Sequence, residues 1–177
     1  MPATDSKVLL LGLGNDILTD DAIALNVVRS LAPELADDEA VDVRETTEMG
    51  LALLDFIVGY RAVLIVDAIQ TGRAPAGTIH EVDAEGLKRL TGRTPHFLGV
   101  GETLALGHQL GLAMPEQVKI LAIEVEDPFT LGTQMTPVLQ QAVPIIVEQV
   151  GRVLRTLVDH PGHQDRPVHP AHRRLGA

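Results

Sequence analysis

Three nearly continuous apolar runs constrain the fold of this chain more than any other feature. They are residues 7–11 (KVLLL), 62–66 (AVLIV) and 118–123 (VKILAI). Short runs of this kind are typical of strands that are buried on both faces of a parallel sheet. Helical patterns lie between them, so the sequence predicts a three-layer α/β/α sandwich around a mostly parallel twisted sheet of about five strands.

The remaining elements follow from local patterns. Residues 41–44 predict a short strand, and the alternating polarity of 78–82 predicts a half-exposed edge strand that can be antiparallel. Helices are expected after the first run, at 49–58, at 101–112 and after the N-cap pair Thr136-Pro137. The side chains expected to share one helical face are Ile23, Val27, Val28 and Leu31 in the first helix and Leu51, Leu54 and Val58 in the second. Leu104 and Leu106 are among the apolar positions of the third.

The length of 177 residues fits one domain. We expect that domain to span residues 1–158. Residues 159–177 are rich in His, Pro and Arg and have no apolar period, which predicts a flexible tail.

Composition excludes several classes of function. A net charge of −10 and only 2% aromatic residues argue against a nucleic-acid partner. The apolar runs are far shorter than the roughly 20 residues of a membrane span, so we expect a cytoplasmic protein without a membrane partner. We also expect the protein to be a monomer. The chain has no cysteine, which removes thiol nucleophiles, disulfides and every cysteine-based metal site. A nucleophile or ligand must therefore be an oxygen or an imidazole.

Polar residues follow the predicted strands at their carboxyl ends, where open α/β sheets bind ligands. Asp20 and Asp21 come after the first strand, residues 45–48 after the second, Asp67 after the third and residues 124–127 after the last. A carboxylate at the end of an apolar strand, such as Asp67, needs a partner because an isolated buried charge is costly.

Each candidate also has a purely structural interpretation. Asp20 and Asp21 are placed to cap the first helix; only one acid is needed for that, and the other is free to face a cleft. Asp67 is placed to accept backbone N–H groups of a turn, and His96 to serve as a structural or surface histidine. The turn GLGNDI begins like a dinucleotide-binding fingerprint, but Ile17 replaces the third glycine and the nearby acids would repel a phosphate.

Three motifs together resemble the hydrogenase maturation protease family. They are GLGNDILTDDAI, the VDAI that follows an apolar run, and the Pro-His pair that contains His96. The resemblance extends to about residue 157. It implies an endopeptidase that removes a C-terminal extension from the large-subunit precursor of [NiFe] hydrogenase after nickel insertion.

The resemblance also implies the site residues. Asp21, Asp67 and His96 match the residues that contact nickel in the family, and we expect them to be both the metal ligands and the catalytic residues. Two carboxylates and one imidazole leave coordination positions open for water and for groups of the substrate. The nickel is expected to arrive within the precursor and not to be held permanently.

The sequence departs from the family pattern beside the expected cleft. Residues 45–50 (ETTEMG) replace a turn that resembles DGGT in many relatives, and Ala24 stands where glycine is frequent. With no Cys, and no Ser between the usual elbow glycines, metal-assisted hydrolysis is the simplest mechanism, with Asp20 in a supporting role. The alternatives are a nickel-dependent chaperone that binds the precursor without cutting it, and a nucleotide-binding oxidoreductase.

Overall fold

Strands and helices alternate along the chain, as the apolar runs predict. The computed structural model describes residues 7–83 and 100–160. In these two segments the strands are β1 (Val8–Leu13), β2 (Val41–Thr46), β3 (Ala62–Ile69), β4 (Ile79–Asp83) and β5 (Gln117–Glu124). The helices are α1 (Ile23–Leu35), α2 (Leu54–Ile57), α3 (Val100–Gln109) and α4 (Pro137–Asp159).

The strands form one sheet in the order β2-β1-β3-β5-β4. The pairs β1–β2, β1–β3 and β3–β5 are parallel, and β4 lies antiparallel to β5 at one edge. This confirms both the mostly parallel sheet and the antiparallel edge strand at 78–82. The carboxyl ends of β1, β2, β3 and β5 consequently meet at one edge of the sheet.

Two apolar clusters cover the two faces of the sheet and complete the three layers. Alternate residues of β1 and β3, such as Leu10 and Leu64, pack with α1 and α4 on one face. Their neighbours Leu9 and Val63 pack with α2 and α3 on the other face. Strand β3 is buried along its whole length, so it lies at the centre of the core. Each of its fully buried Leu, Ile and Val side chains stabilises the fold by about 1.5–3 kcal/mol.

The helix expected at 49–58 is wrong in its length and its buried face. The segment forms a 3₁₀ turn at Gly50–Leu53, and α2 that follows has only four residues. Leu53 and Ile57 are buried, whereas Leu51 is exposed; of the predicted residues, Leu54 does pack against the core, although it is only partly buried. The 3₁₀ turn winds more tightly than an α-helix, so it shifts which side chains face the sheet.

The third helix also ends earlier than predicted. It stops at Gln109, and Gly111 adopts a φ of +69°, a conformation that ends helices readily because glycine has no Cβ. Leu104 is buried as expected, but Leu106 is only partly buried.

The last helix begins where the sequence predicts. Thr136 is the N-cap residue, Pro137 is the first helical residue, and the helix continues to Asp159. Residues 161–177, which make up most of the predicted tail, lie outside the described residues. In the part of the chain that the structure describes, no helix is both long and apolar enough to cross a membrane.

Candidate functional site

The first turn is shaped by two glycines that allow close approach of backbone. A Cβ on Gly14 would lie 2.3 Å from the carbonyl oxygen of Asp21, and one on Gly12 would lie 2.9 Å from Val28 Cγ2. Both distances are too short for real atoms, so these positions need glycine. The glycines therefore let the loop after β1 and helix α1 fold back onto the strand, which gives the GLG motif a structural role without a nucleotide.

Asp20 joins this loop to the loop between β5 and α4. It is completely buried. Its Oδ2 accepts hydrogen bonds from the backbone N–H of Glu126 (3.2 Å) and Asp127 (2.9 Å), and its Oδ1 accepts one from the N–H of Thr136 (2.7 Å). The Thr136 hydroxyl donates a fourth, at 3.1 Å.

Asp20 is therefore not the helix cap considered above. The 3₁₀ turn Asp20–Ala22 has Thr19 at its N-cap, with no side-chain capping hydrogen bond, and α1 begins only at Ile23. The carboxylate of Asp20 instead stabilises the contact between two loops at the carboxyl end of the sheet. Its supporting role in catalysis stays a prediction.

Asp21 lies in the same 3₁₀ turn and is also completely buried. The turn contacts β3, with Cα atoms within 8 Å. The backbone carbonyl of Asp21 lies against Gly14, as described above. Asp21 is thus held between the end of β1 and the neighbouring strand β3, on which Asp67 lies.

Asp67 lies within a strand and not after it, which corrects the prediction. Strand β3 continues to Ile69, and Asp67 pairs with Ala122 of β5. Its side chain is completely buried, and Oδ1 accepts a hydrogen bond from the N–H of Ala68 (2.7 Å). Because Gly12 pairs with Val66, Asp67 lies at the level where β1 passes into its turn.

Two of the three predicted ligands are therefore brought to the same end of the sheet. Asp21 and Asp67 are two buried carboxyl groups there, and carboxylate oxygens are ligands that divalent cations accept. His96 lies outside the described residues. Residues 7–83 and 100–160 contain no cluster of three potential metal ligands, so His96 or substrate groups would have to complete the set. The nickel site itself remains a prediction.

Glu45, which belongs to the segment where the sequence departs from the family pattern, is linked to Asp16 of the first turn through Arg29. Arg29 of α1 makes two hydrogen bonds to Glu45 (2.7 and 2.8 Å) and two to Asp16 (2.9 and 2.8 Å). The hydrogen bonds from Glu45 and then Asp16 raise the pKa of Arg29 above its ordinary value. These three residues border a cavity of about 290 Å³. Glu45 lies within β2, which continues to Thr46, and not after the strand as predicted.

Sequence reasoning missed a buried carboxylate in the acidic run 124–127. Glu124 ends β5 and is buried, and its carboxylate lies 3.0 Å from His80 Nε2. The same carboxylate accepts hydrogen bonds from the N–H and hydroxyl of Thr71. The only sequence signal was the position of Glu124 at the end of an apolar run, the same signal that identified Asp67. His108, by contrast, is exposed at the end of α3.

Fold and site together define an α/β protein with a carboxylate-lined site where its parallel strands end. Comparison with known proteins makes this class specific. A family model described as "Hydrogenase maturation protease" matches residues 25–153, more than half of the chain. The chain belongs to the hydrogenase maturation protease family, and it is by this membership a peptidase.

Individual relatives agree with this assignment. The chain is 27% identical over 160 residues to the hydrogenase expression/formation protein HupD of Rhizobium leguminosarum bv. viciae, covering 88% of this chain and 77% of that one. It is 26% identical over 151 residues to the hydrogenase 2 maturation protease of Escherichia coli, covering 84% and 91%.

A solved structure shows the same fold. The hydrogenase maturating endopeptidase HybD from E. coli superposes with a TM-score of 0.71 at 24% identity, and the match covers 85% of this chain and 93% of that one. The resemblance inferred from the three motifs is thereby confirmed for the family and the fold.

Proposed function

We propose that this protein is the endopeptidase that removes the C-terminal extension from the large-subunit precursor of a [NiFe] hydrogenase once nickel has been inserted. Family membership supports the reaction class, and the names of the relatives support hydrogenase as the target. The structural observation that carries the proposal is the pair of buried carboxylates, Asp21 and Asp67, at the carboxyl end of the sheet.

In this proposal the nickel is part of the substrate. Asp21, Asp67 and His96 bind the ion carried by the precursor, and water and precursor groups supply its other ligands. A bound nickel ion supplies Lewis acidity toward the scissile carbonyl. Asp21 and Asp67 hold the negative charge that attracts the ion, and the tether through Asp20 keeps their loop in place. We further propose that the enzyme acts as a cytoplasmic monomer.

The test is to incubate the purified protein with nickel-loaded and nickel-free precursor and to follow the precursor's mass. Only the nickel-loaded precursor should become shorter, and the purified enzyme should be largely metal-free. Equal cleavage of both forms, or a stoichiometric metal in the isolated enzyme, would disprove the dependence on substrate nickel. Nickel-dependent binding without any change in precursor mass would identify a chaperone instead.

A further inference from the structure

A carboxylate–imidazole pair, Glu124 and His80, lies outside the expected ligand set. Glu124 is 1% exposed, and its Oε1 accepts hydrogen bonds from the backbone N–H of Thr71 (2.8 Å) and Gly72 (2.9 Å). Its Oε2 accepts one from the Thr71 hydroxyl (2.7 Å) and lies 3.0 Å from His80 Nε2. Burial raises the pKa of Glu124, but these hydrogen bonds outweigh burial and hold the pKa below its usual value.

An ionised Glu124 fixes the orientation of the imidazole of His80. The carboxylate can only accept, so Nε2 of His80 carries the proton that lies between them. In the neutral ring, Nδ1 is then a hydrogen-bond acceptor. The His80 side chain is 27% exposed, whereas that of Glu124 is 2% exposed. With a neutral ring, the pair offers Nδ1 as one oriented hydrogen-bond acceptor beside the buried carboxylate.

Sheet register places this pair in line with the expected nickel ligand. His80 of β4 pairs with Ala122 of β5, and Ala122 pairs with Asp67 of β3. Paired residues share a face of a sheet, so His80 and Asp67 lie on the same face with only a small alanine between them. Neighbouring strands are about 4.8 Å apart, which puts the two backbones roughly 10 Å from each other.

That separation corresponds to about three residues of an extended polypeptide, at roughly 3.3 Å per residue. We propose that His80 is a specificity-determining residue of the peptidase and contacts the precursor about three residues from the scissile carbonyl, which the nickel held by Asp67 would polarise in the function proposed above. Glu124 is its positioning residue. The group that fits the pair is a side chain with a hydrogen-bond donor. This inference rests on the function proposed above.

The test measures whether the effect of a precursor substitution on kcat/KM depends on His80. Alanine replaces, one at a time, each precursor residue two to four positions on either side of the scissile bond. The kcat/KM for nickel-loaded precursor is then compared between the wild-type enzyme and His80→Ala. At one position, alanine should lower the wild-type kcat/KM by about tenfold or more, the usual effect of losing a hydrogen bond to a charged pair. In His80→Ala the same replacement should have less than about a twofold effect.

Two more enzyme variants separate this role from a structural one. Glu124→Gln keeps the size of the side chain but removes the anion that orients His80, so it should flatten the precursor profile in the same way. His80→Lys keeps a donor toward Glu124 if the alanine variant does not fold, but its ammonium group has no acceptor for the precursor, so it should also flatten the profile. His108→Ala, an exposed histidine on α3, should leave the profile unchanged.

The results distinguish this inference from the proposed function. If the wild-type enzyme cleaves the precursor but His80→Lys and Glu124→Gln keep the wild-type alanine profile, the pair only anchors the edge strand and the inference is wrong. If the wild-type enzyme does not cleave the nickel-loaded precursor at all, the proposed function is wrong and the inference falls with it.

Discussion

Substitution of two adjacent aspartates should have opposite consequences, although both are completely buried. Asp20→Asn should mainly destabilise the fold, and Asp21→Asn should mainly abolish cleavage of nickel-loaded precursor. The reason is that the carboxylate of Asp20 accepts four hydrogen bonds from the loop between β5 and α4. Asp21 lies against β3, where the proposed nickel site is.

The size of the effect follows from the geometry. The amide of Asn has only one acceptor oxygen. In the better orientation this oxygen replaces Oδ2, which accepts three of the four hydrogen bonds. The amide NH₂ then faces the N–H of Thr136, which loses its 2.7 Å bond to Oδ1. Losing a buried hydrogen bond to a charged group costs about 2–3 kcal/mol, and in a domain of this size that corresponds to a fall in Tm of roughly 4–12 °C.

Urea unfolding followed by far-UV circular dichroism measures this difference, since the chain has no tryptophan for fluorescence. Asp20→Asn should lower the unfolding midpoint without changing the slope. Its folded fraction should still cleave precursor, and Asp21→Asn should unfold near the wild-type midpoint yet not cleave. Equal loss of stability in both variants, or a wild-type rate of cleavage by a folded Asp21→Asn, would refute this division of roles.

Three further predictions test other parts of the structure. Asp67→Asn and His96→Ala should each strongly reduce cleavage, whereas His108→Ala should have a mild effect; a folded Asp67→Asn with wild-type activity would remove that residue from the site. Deletion of residues 168–177 should leave cleavage and Tm nearly unchanged, since that segment has no periodic apolar face; a large loss of either would show that it docks. Because folding lowers the pKa of Glu124 from its ordinary value of 4.5, the ionised carboxylate stabilises the fold when the pH is above 4.5. This stabilisation is lost as the pH falls through the folded-state pKa, so acid should destabilise the wild type more than Glu124→Gln.

The sheet was predictable because its central strands are buried on both faces. In β3 all eight residues are buried and all but Asp67 are apolar, and such an apolar run needs no tertiary information to recognise. The segment 49–58 was not predictable in the same way. Its 3₁₀ turn and four-residue helix give too few residues for a helical period to be read reliably, so the apolar pattern pointed to Leu51 when Leu53 is the residue that packs.

The site was only partly predictable, because its contacts join distant parts of the chain. The carboxyl-end rule selected Asp67, and the motif resemblance selected Asp21, His96 and Asp67 together. The same rule included residues 124–127, but neither source of information indicated that Glu124 pairs with Thr71 and His80. Its partners Thr71 and His80 are 53 and 44 residues away in sequence, and each is unremarkable in its own segment.

The pair Asp20 and Asp21 shows why such residues cannot be separated from sequence alone. They are adjacent acids at the start of one helical segment, and local preference treats them alike. In the folded chain they occupy a 3₁₀ turn, where successive side chains are about 120° apart. One carboxylate can therefore reach the loop 106–116 residues further along, while the next residue lies in the turn that contacts β3. The carboxylate of Asp20 fixes the turn that carries Asp21, and Asp20→Asn keeps three of its four hydrogen bonds, so the folded variant should retain the position of Asp21 and its activity.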